Sequence, residues 1–441
     1  MFPHRIAALA LALALPAHSA TLFVSPDGTA SDGHSWETAF PTIQEAVVES
    51  TTGDEVWIRS ATYIENVIVE KPLTLLGGFS GIEGPGERDL RNPNRNLTMI
   101  DGDRNNISVV TIRSTTVTLN RIVIQNGLSN VGSGLRIIES SVILLESQIR
   151  KNGIVDNAYV AGGIRVENSQ CRITGCVINY NSASGGGGIS SIGSKINLTH
   201  SVFSDNVANL GGAIAIGPRD SFEIDSCSFT RNTARYKYPQ SGNIGFGGQG
   251  GAFYANTTGG KSNVKVVNSK FTTNTLTDVG SGSVFYGMGQ FSAEFDQCTC
   301  IVGSHTTGFS LGGDFPPPVL RNCILVSEPN GSSTPIALED AIVSHSLVEG
   351  GYPGEGNIDA DPKFVDFEGG DLHLQSGSPC IDSGTDTGLT LDFDGNPRPI
   401  GRYDMGAFEF PLLRSDLNGD GEVDFTDLMI LQSDWGKESE P

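Results

Sequence analysis

Six potential oxygen ligands recur at short intervals near the C-terminus of the 441-residue chain. They occupy positions 1, 3, 5, 7, 9 and 12 of a twelve-residue segment, with Gly421 at position 6. Ca²⁺ takes roughly six to eight oxygen ligands, and a glycine at this position makes the sharp turn that gathers them. The spacing therefore predicts a calcium site, with a solvated acidic tail as the alternative. The candidate ligands are Asp416, Asn418, Asp420, Glu422 through its carbonyl, Asp424 and Asp427.

Two aspartates, Asp225 and Asp296, are the candidates for catalysis. They stand at equivalent positions of the repeat described below, two units apart with Asn268 between them. Parallel strands would separate them by roughly 10 Å, near the upper end for the carboxyl pair of an inverting glycoside hydrolase. The neighbouring column alternates in charge from Glu223 through a lysine to Glu294, as exposed sheets ordinarily do. We therefore favour a non-catalytic interpretation.

Two long segments between repeat units carry aromatic and basic side chains. Nine residues separate Asn152 from Gly162 and seventeen separate Asn232 from Gly250, whereas two other units use four. Flat aromatic rings with polar neighbours suit sugar stacking, and long loops usually have a function. We predict a ligand-binding face here, with packing of the loops on the wall of the fold as the alternative. Its candidate residues are Tyr159, Arg235, Tyr236, Lys237, Tyr238 and Phe246.

A repeat of about 25 residues, with insertions, organises the middle of the chain. Its marker is an aromatic or aliphatic residue followed three positions later by asparagine. Apolar residues alternate with polar ones before the marker, and glycine pairs follow it. The markers are Ile149 with Asn152, Ile178 with Asn181, Phe203 with Asn206, Phe229 with Asn232, and Phe271 with Asn274.

This pattern predicts the fold class. Alternation of period two indicates short strands with one buried face, and glycine at a constant phase indicates a tight corner. Such a unit cannot bury its apolar face alone, so successive coils must stack. Crossovers between parallel strands are overwhelmingly right-handed. We therefore predict an all-β, right-handed parallel β-helix, with Phe203, Phe229 and Phe271 piled on one inner wall.

The two ends of the chain depart from the repeat. Residues 1–19 have the charge, short apolar run and small residues of a signal peptide. Residues 20–100 are predicted to form an N-terminal cap with the first coils, including a helix from Trp36 to Ser50. Repeats follow over 101–357, a C-terminal cap over 358–411, and an EF-hand-like calcium loop with a short helix over 412–441.

Composition narrows the possible partners. The formal charge of −22 argues against nucleic acid, because a phosphate backbone would be repelled. Beyond the signal peptide, no stretch is long and apolar enough to predict a transmembrane segment. The seven cysteines show no zinc spacing, and Cys298 and Cys323 stand one repeat apart, at a separation that would suit a disulfide.

Three segments resemble known families. The run Phe203-Ser-Asp-Asn206 followed by Gly211-Gly-Ala-Ile214 is similar to the repeat of polymorphic outer-membrane-protein-like β-helices, which implies a surface-exposed protein. Motifs at 361–364, 378–382, 392–395 and 404–409 resemble the choice-of-anchor module that commonly closes such helices before a surface-attachment signal. The tail resembles one dockerin repeat. Dockerins bind cohesin through two repeats, so the single copy argues against a cohesin partner.

These observations predict a secreted or cell-surface protein. We expect a non-catalytic adhesive, structural or glycan-binding role, with a polysaccharide or another cell-surface component as partner. The alternative is a polysaccharide lyase or glycoside hydrolase that acts on an acidic polysaccharide.

Overall fold

The chain folds into a right-handed parallel β-helix, as the repeat predicts. The computed structural model describes residues 19–84, 86–105, 107–153, 161–235, 248–277, 281–303, 306–311, 316–328, 334–336, 341–411 and 425–434. Within them, two parallel sheets of twenty and thirteen strands run along the helix axis. No helix in these ranges is long and apolar enough to span a membrane.

Most coils contribute two strands to the first sheet and one or two to the second. In two coils a single long strand, Phe253–Val267 or Phe285–Asp296, runs through both positions of the first sheet. The first sheet contains Thr21–Val24, Glu55–Arg59, Val67–Val69, Leu73–Phe79, Val110–Arg113, Thr116–Asn120, Leu135–Ile138, Ser141–Leu145, Ile164–Glu167, Gln170–Thr174, Ile189–Ile192, Lys195–Thr199, Ile214–Ile216, Ser221–Asp225, Phe253–Val267, Phe285–Asp296, Thr307–Leu311, Val319–Arg321, Thr334–Ile336 and Ile342–Ser344. The second contains Ala61–Ile64, Thr98–Asp101, Ile122–Gln125, Gln148–Arg150, Val177–Asn179, Val202–Ser204, Val207–Ala208, Ser228–Thr230, Thr233–Arg235, Lys270–Thr277, Thr299–Val302, Ile324–Ser327 and Leu347–Val348.

The inner wall of the second sheet is a stack of aromatic rings. Phe203, Phe229 and Phe271 pair in register on successive coils. Their ring centroids lie 5.0 and 4.9 Å apart, with the planes nearly parallel. All three side chains are fully buried. The prediction that these residues pile along one wall is therefore confirmed.

Over residues 139–206, three corners of each coil share one construction. At each corner a residue with positive φ turns the chain, and a buried serine, cysteine or asparagine follows it, as Lys151 precedes Asn152. In one corner the asparagines form a ladder, where the Asn181 amide nitrogen donates to Asn206 Oδ1 at 3.0 Å. The same oxygen accepts the backbone N–H of Asn181 at 3.1 Å. The predicted Asn column thus satisfies buried polar groups at the turn.

A second corner carries the serine and cysteine column. The backbone N–H of Cys176, for example, donates to the Ser201 hydroxyl at 3.1 Å. All seven cysteines are buried free thiols, so Cys298 and Cys323 do not form the disulfide that their spacing would suit. Burial holds the pKa of Cys298 well above its ordinary value. The small side chains fit a narrow corner, which explains them without redox chemistry.

The N-terminal helix spans Ile43–Glu49 and is shorter than the predicted Trp36–Ser50. Thr42 caps it, and the Glu65 carboxylate accepts the N–H groups of Ile43 and Gln44 at 2.8 and 2.9 Å. Proline disfavours helical backbone in the residue before it, and Phe40, which precedes Pro41, forms an isolated β-bridge with Val24. Residues 36–38 form a turn. The helix buries an apolar face that includes Ile43 against the first strands.

Residues 358–411 lie against the outer face of the second sheet in the last coils. One outward column of this sheet is polar in earlier coils, as at Arg150 and Asn179, and becomes apolar and buried at Ile301 and Val326. Ile324 in the last coils is also buried. These side chains form one core with a second apolar set from the C-terminal segment, which includes an antiparallel strand pair, Phe364–Asp366 with Asp371–Leu374. The members from that segment are Phe364, Leu372, Leu374, Cys380, Met405, Ala407 and Phe408.

Candidate functional site

The two candidate catalytic aspartates share a register, as predicted, but a different residue stands between them. Asp225 pairs with Val267, and Val267 pairs with Asp296. The placement of Asn268 between the aspartates was wrong by one position. Asn268 is instead the left-handed corner residue, with φ of 46°.

Both aspartates are held by other side chains. Arg321 binds Asp296 through two hydrogen bonds of 2.8 and 2.9 Å, and the aspartate side chain is only 3% exposed. Asp225 accepts hydrogen bonds from Ser226 and Asn268 at 2.9 and 3.3 Å. The Asp296 carboxylate is buried and accepts two hydrogen bonds from Arg321, so a polymer outside the protein could not contact it. This geometry favours a structural role.

The C-terminal segment closes over this column through a buried polar network. Asn268 donates to the Leu391 carbonyl at 3.0 Å and accepts from Arg398 at 3.0 Å. Arg398 in turn pairs with Glu409 at 2.7 Å, and both side chains are fully buried. Asp404 lies in the same segment, and its burial raises the pKa of its carboxyl to about 7. The acidic side chains of Asp404 and Glu409 therefore bind protein groups here.

The two long loops leave the same corner of the coil. Asn152 and Asn232 belong to one asparagine ladder, which places the starts of both segments on one line parallel to the axis. Arg235 ends the short strand Thr233–Arg235 and is exposed. The other predicted loop residues, Tyr159, Tyr236, Lys237, Tyr238 and Phe246, lie outside the described residues.

An arginine pair lies on the outer face of the first sheet. Arg136 and Arg165 pair in register on successive coils. Glu167 binds Arg136 at 3.2 Å and Arg165 at 3.0 Å, and Arg165 also donates to Ser190 at 2.8 Å. Partial burial raises the pKa of the Glu167 carboxyl, but the hydrogen bonds and charges of the two arginines outweigh it and hold the pKa below its ordinary value.

A groove of about 740 Å³ runs along the axis beside this pair, where the two strands of each coil in the first sheet meet at a corner. It crosses five coils, so four steps of ~4.8 Å give it a length of ~19 Å. Hydroxyl and amide groups dominate its surface, with two cations and one carboxylate. Its lining residues are Ser114, Thr115, Thr116, Glu139, Ser140, Ser141, Asn168, Ser169, Gln170, Gly193, Ser194, Lys195, Arg219 and Ser221.

A hydrogen-bonded column forms the floor of the groove. The backbone N–H of Ser140 donates to Ser169 Oγ at 3.0 Å, and that of Ser169 donates to Ser194 Oγ at 3.2 Å. Asp220 takes the next place and accepts the N–H of Ser194 at 2.8 Å. Burial raises the pKa of Asp220 from 3.8 to about 6, although hydrogen bonds from Ser191, Ser194 and Gly217 lower it.

Replacing Asp220 with serine, the residue of the neighbouring coils, should remove a pH dependence of stability. Because the folded pKa lies above the unfolded value, the Asp220 contribution is fully present below pH 3.8 and is lost as the pH rises through about 6. The loss for the wild type amounts to about 3 kcal/mol. Urea unfolding of both proteins from pH 4 to 7 measures the difference, and parallel curves would contradict the assignment.

The predicted calcium loop lies almost wholly outside the described residues, which resume at the helix Phe425–Asp434. Asp427, the last predicted ligand, lies in this helix and is 3% exposed. The same helix exposes Phe425 and Leu428. Within the described ranges, His, Cys, Asp and Glu side chains form no group of three or more suited to a metal ion.

Sequence reasoning missed the groove and the arginine pair. The available signal was a polar doublet at one phase of the repeat, such as Ser140-Ser141 and Ser169-Gln170. The doublet marks a corner of the coil. Its first residue joins the hydrogen-bonded column on the floor of the groove, and its second residue faces outward. A second signal was arginine at equivalent positions of two successive units, Arg136 and Arg165.

Comparisons with known proteins give distant likenesses. No protein-family model matches the chain. A 152-residue segment is 26% identical to metabotropic glutamate receptor-like protein R of Dictyostelium discoideum, which covers 34% of this chain and 10% of that protein. The chain thus spans only a small part of this relative.

Three solved structures align with most of this chain at low similarity. Pectate lyase Pel9A is 12% identical with a TM-score of 0.44, over 89% of this chain and 96% of its own. A rhamnogalacturonan lyase is 12% identical with a TM-score of 0.45, over 91% and 99%. XylC in complex with xylose is 9% identical with a TM-score of 0.34, over 88% and 98%. These values identify no activity for this chain.

Proposed function

We propose that this protein is a secreted or cell-surface polysaccharide-binding protein whose ligand lies along the axial groove. The observation that supports this proposal most strongly is the continuous row of outward hydroxyl, amide and charged groups over five coils. A groove of ~19 Å that is open at its surface suits an extended polymer better than a compact ligand. The signal peptide predicted at residues 1–19 would deliver the protein to such a polymer.

We propose a binding role in preference to catalysis. Acid–base chemistry on a glycan needs a positioned carboxyl pair or an equivalent base near the bound sugar. Glu167 is tied to two arginines and Asp296 to a third, so neither carboxylate is free. The alternative of a lyase or hydrolase acting on acidic polysaccharide draws support from one observation, the guanidinium groups of Arg136 and Arg165 beside the groove.

Blocking the groove should abolish polysaccharide binding. Ser141→Trp places a bulky ring on the second of the five coils of the groove, at an outward position beside the column on its floor. We expect affinity to fall more than about tenfold in affinity electrophoresis against a panel of neutral and acidic polysaccharides. Ile143→Trp is the matched control, because Ile143 is exposed on the same strand outside the groove lining.

Three results of this experiment would contradict parts of the proposal. Equal binding by the wild type and Ser141→Trp would place the ligand elsewhere, and failure of the wild type to bind any polysaccharide would refute binding itself. New reducing ends or unsaturated products in the same mixtures would refute the non-catalytic role and favour the lyase or hydrolase.

We propose further that calcium orders the C-terminal tail. The oxygen spacing from Asp416 to Asp427 supports this, together with the burial of Asp427 at the start of a helix. Calorimetric titration should show one calcium site that Asp420→Ala removes, whereas Asp434→Ala at the far end of the helix retains it. Unchanged calcium binding by Asp420→Ala would contradict the assignment.

A further inference from the structure

We propose that Arg136 and Arg165 form a carboxylate-binding subsite beside the groove, so that the polysaccharide is an acidic one containing uronic acid. This inference rests on the proposed function, because it names the chemical class of the ligand in the same groove. The subsite lies on the strands Leu135–Ile138 and Ile164–Glu167, and the residues that follow these strands, Glu139 and Asn168, line the groove.

The arginine pair is held in a fixed arrangement before any ligand arrives. Register places Arg136 and Arg165 on adjacent strands, one coil step apart. Glu167 accepts from Arg136 Nη2 at 3.2 Å and from Arg165 Nε at 3.0 Å, and Ser190 accepts from Arg165 Nη1 at 2.8 Å. A side chain already fixed by its neighbours loses less conformational freedom when a ligand binds.

The pair retains unused hydrogen-bond donors. Among the described residues, Arg136 Nη1 and Arg165 Nη2 have no protein acceptor. Arg136 Nε is buried and also lacks a partner. The side chains remain 28% and 16% exposed. A planar carboxylate matches the fork of a guanidinium group, and one that lay across both arginines would accept from Arg136 Nη1 and Arg165 Nη2.

Local charge is balanced although the whole protein has a formal charge of −22. The groove lining and the subsite together hold four cations, Arg136, Arg165, Lys195 and Arg219. Four carboxylates offset them: Glu139 and Glu167, Glu223 at 3.4 Å from Lys195, and Asp220 bonded to Ser194. Charges farther away than about 8 Å are largely screened at physiological ionic strength, so the polymer meets a locally neutral surface, and its carboxylates are recognised by the unused donors of the arginine pair. The remaining negative charge would instead slow the approach of the polymer.

The test compares one polymer with and without its carboxyl groups. Polygalacturonate and its carboxyl-reduced, neutral form are the probes in affinity electrophoresis. We expect the wild type to bind polygalacturonate at least about tenfold more tightly than the reduced form. The double variant Arg136→Gln with Arg165→Gln should lose that preference but keep its affinity for the reduced form. Arg172→Gln, an exposed arginine on the adjoining strand outside the groove lining, should behave as the wild type.

A second variant separates recognition from a structural role. Glu167→Gln removes the carboxylate that competes for both arginines, so polygalacturonate should bind as well as before or more tightly. If the arginines served only to hold the sheet, Glu167→Gln and the double arginine variant would weaken binding of both polymers alike. Circular dichroism and the midpoint of thermal unfolding establish that each variant is folded.

The outcomes distinguish the subsite from the proposed function. Equal affinity for the two polymers, or an unchanged preference in the double arginine variant, would overturn the carboxylate subsite. In that case loss of binding in Ser141→Trp would still support the groove. Failure of the wild type to bind any polysaccharide would overturn both.

Discussion

Asn206→Ala should lower the free energy of unfolding of the central coils by about 4 kcal/mol. The Asn206 side chain accepts from the backbone and side chain of Asn181 and donates to Asn232 and to the Ile178 carbonyl, at 2.8–3.1 Å. The residue is fully buried, so water cannot replace these bonds. A net hydrogen bond is worth about 1 kcal/mol, and each buried group left unpaired costs about 1–3 kcal/mol.

Urea unfolding of the wild type and variant measures this effect. The matched control is Asn197→Ala, because Asn197 lies on the outer face and its side chain bonds, among the described residues, to the exposed Glu223 carboxylate at 2.6 Å. Its loss should cost less than about 1 kcal/mol. Since each coil of a solenoid contacts its neighbours alone, the damage should centre on the coils next to Asn206. Similar losses in both variants would show that the asparagine ladder is not a principal source of stability.

Arg398→Leu should release the C-terminal segment from the β-helix, at a cost of about 3–5 kcal/mol. Glu409 would remain buried without its cation, since both side chains of the pair are fully buried. The variant also removes the hydrogen bonds from Arg398 to Asn268 and to the Gly406 carbonyl. Faster hydrogen exchange confined to residues 358–411 and the strands beneath them is the expected observation.

Two further variants test whether the loss of the buried ion pair causes the faster exchange. Arg402→Leu changes an exposed arginine of the same segment and should leave exchange unaltered. The double variant Arg398→Met with Glu409→Met should lose less stability than Arg398→Leu, because it removes the unpaired buried charge. If Arg398→Leu exchanges as slowly as the wild type, the polar network is not what attaches the segment.

Patterns that repeat along the chain predicted the fold. The alternation around Phe203, Phe229 and Phe271 fixes which side chains point inward, and stacking is the arrangement that buries them on every coil. The asparagine three positions after each ring marked a corner, where its amide joins a ladder. Repetition averages over local exceptions, so these predictions did not depend on any single residue.

Single positions at corners were harder to predict. Asn268 was assigned to a strand, because polarity alone does not separate an outward strand residue from a left-handed corner residue. The packing of residues 358–411 near Asp225 and Asp296 could not be deduced from the repeat, because this segment is distant in the sequence. The one local sign of it was the apolar character of Ile301 and Val326 at outward positions.

The candidate site was only partly predictable for a related reason. A groove arises where two strands meet at an angle, and hydrophobic periodicity reports burial but not that angle. The polar doublets that include Ser141 and Lys195 mark the corner, but they do not report its angle. Their alignment follows from the register between coils, which the pairing of Gln170 with Lys195 illustrates.

A crystal structure of the protein bound to an oligosaccharide selected from the binding panel tests the central proposal most directly. We predict sugar density along the corner formed by residues 114–116, 139–141, 168–170 and 193–195, with the chain of sugars parallel to the helix axis. Density on another face of the helix, with this corner empty, would contradict the proposal.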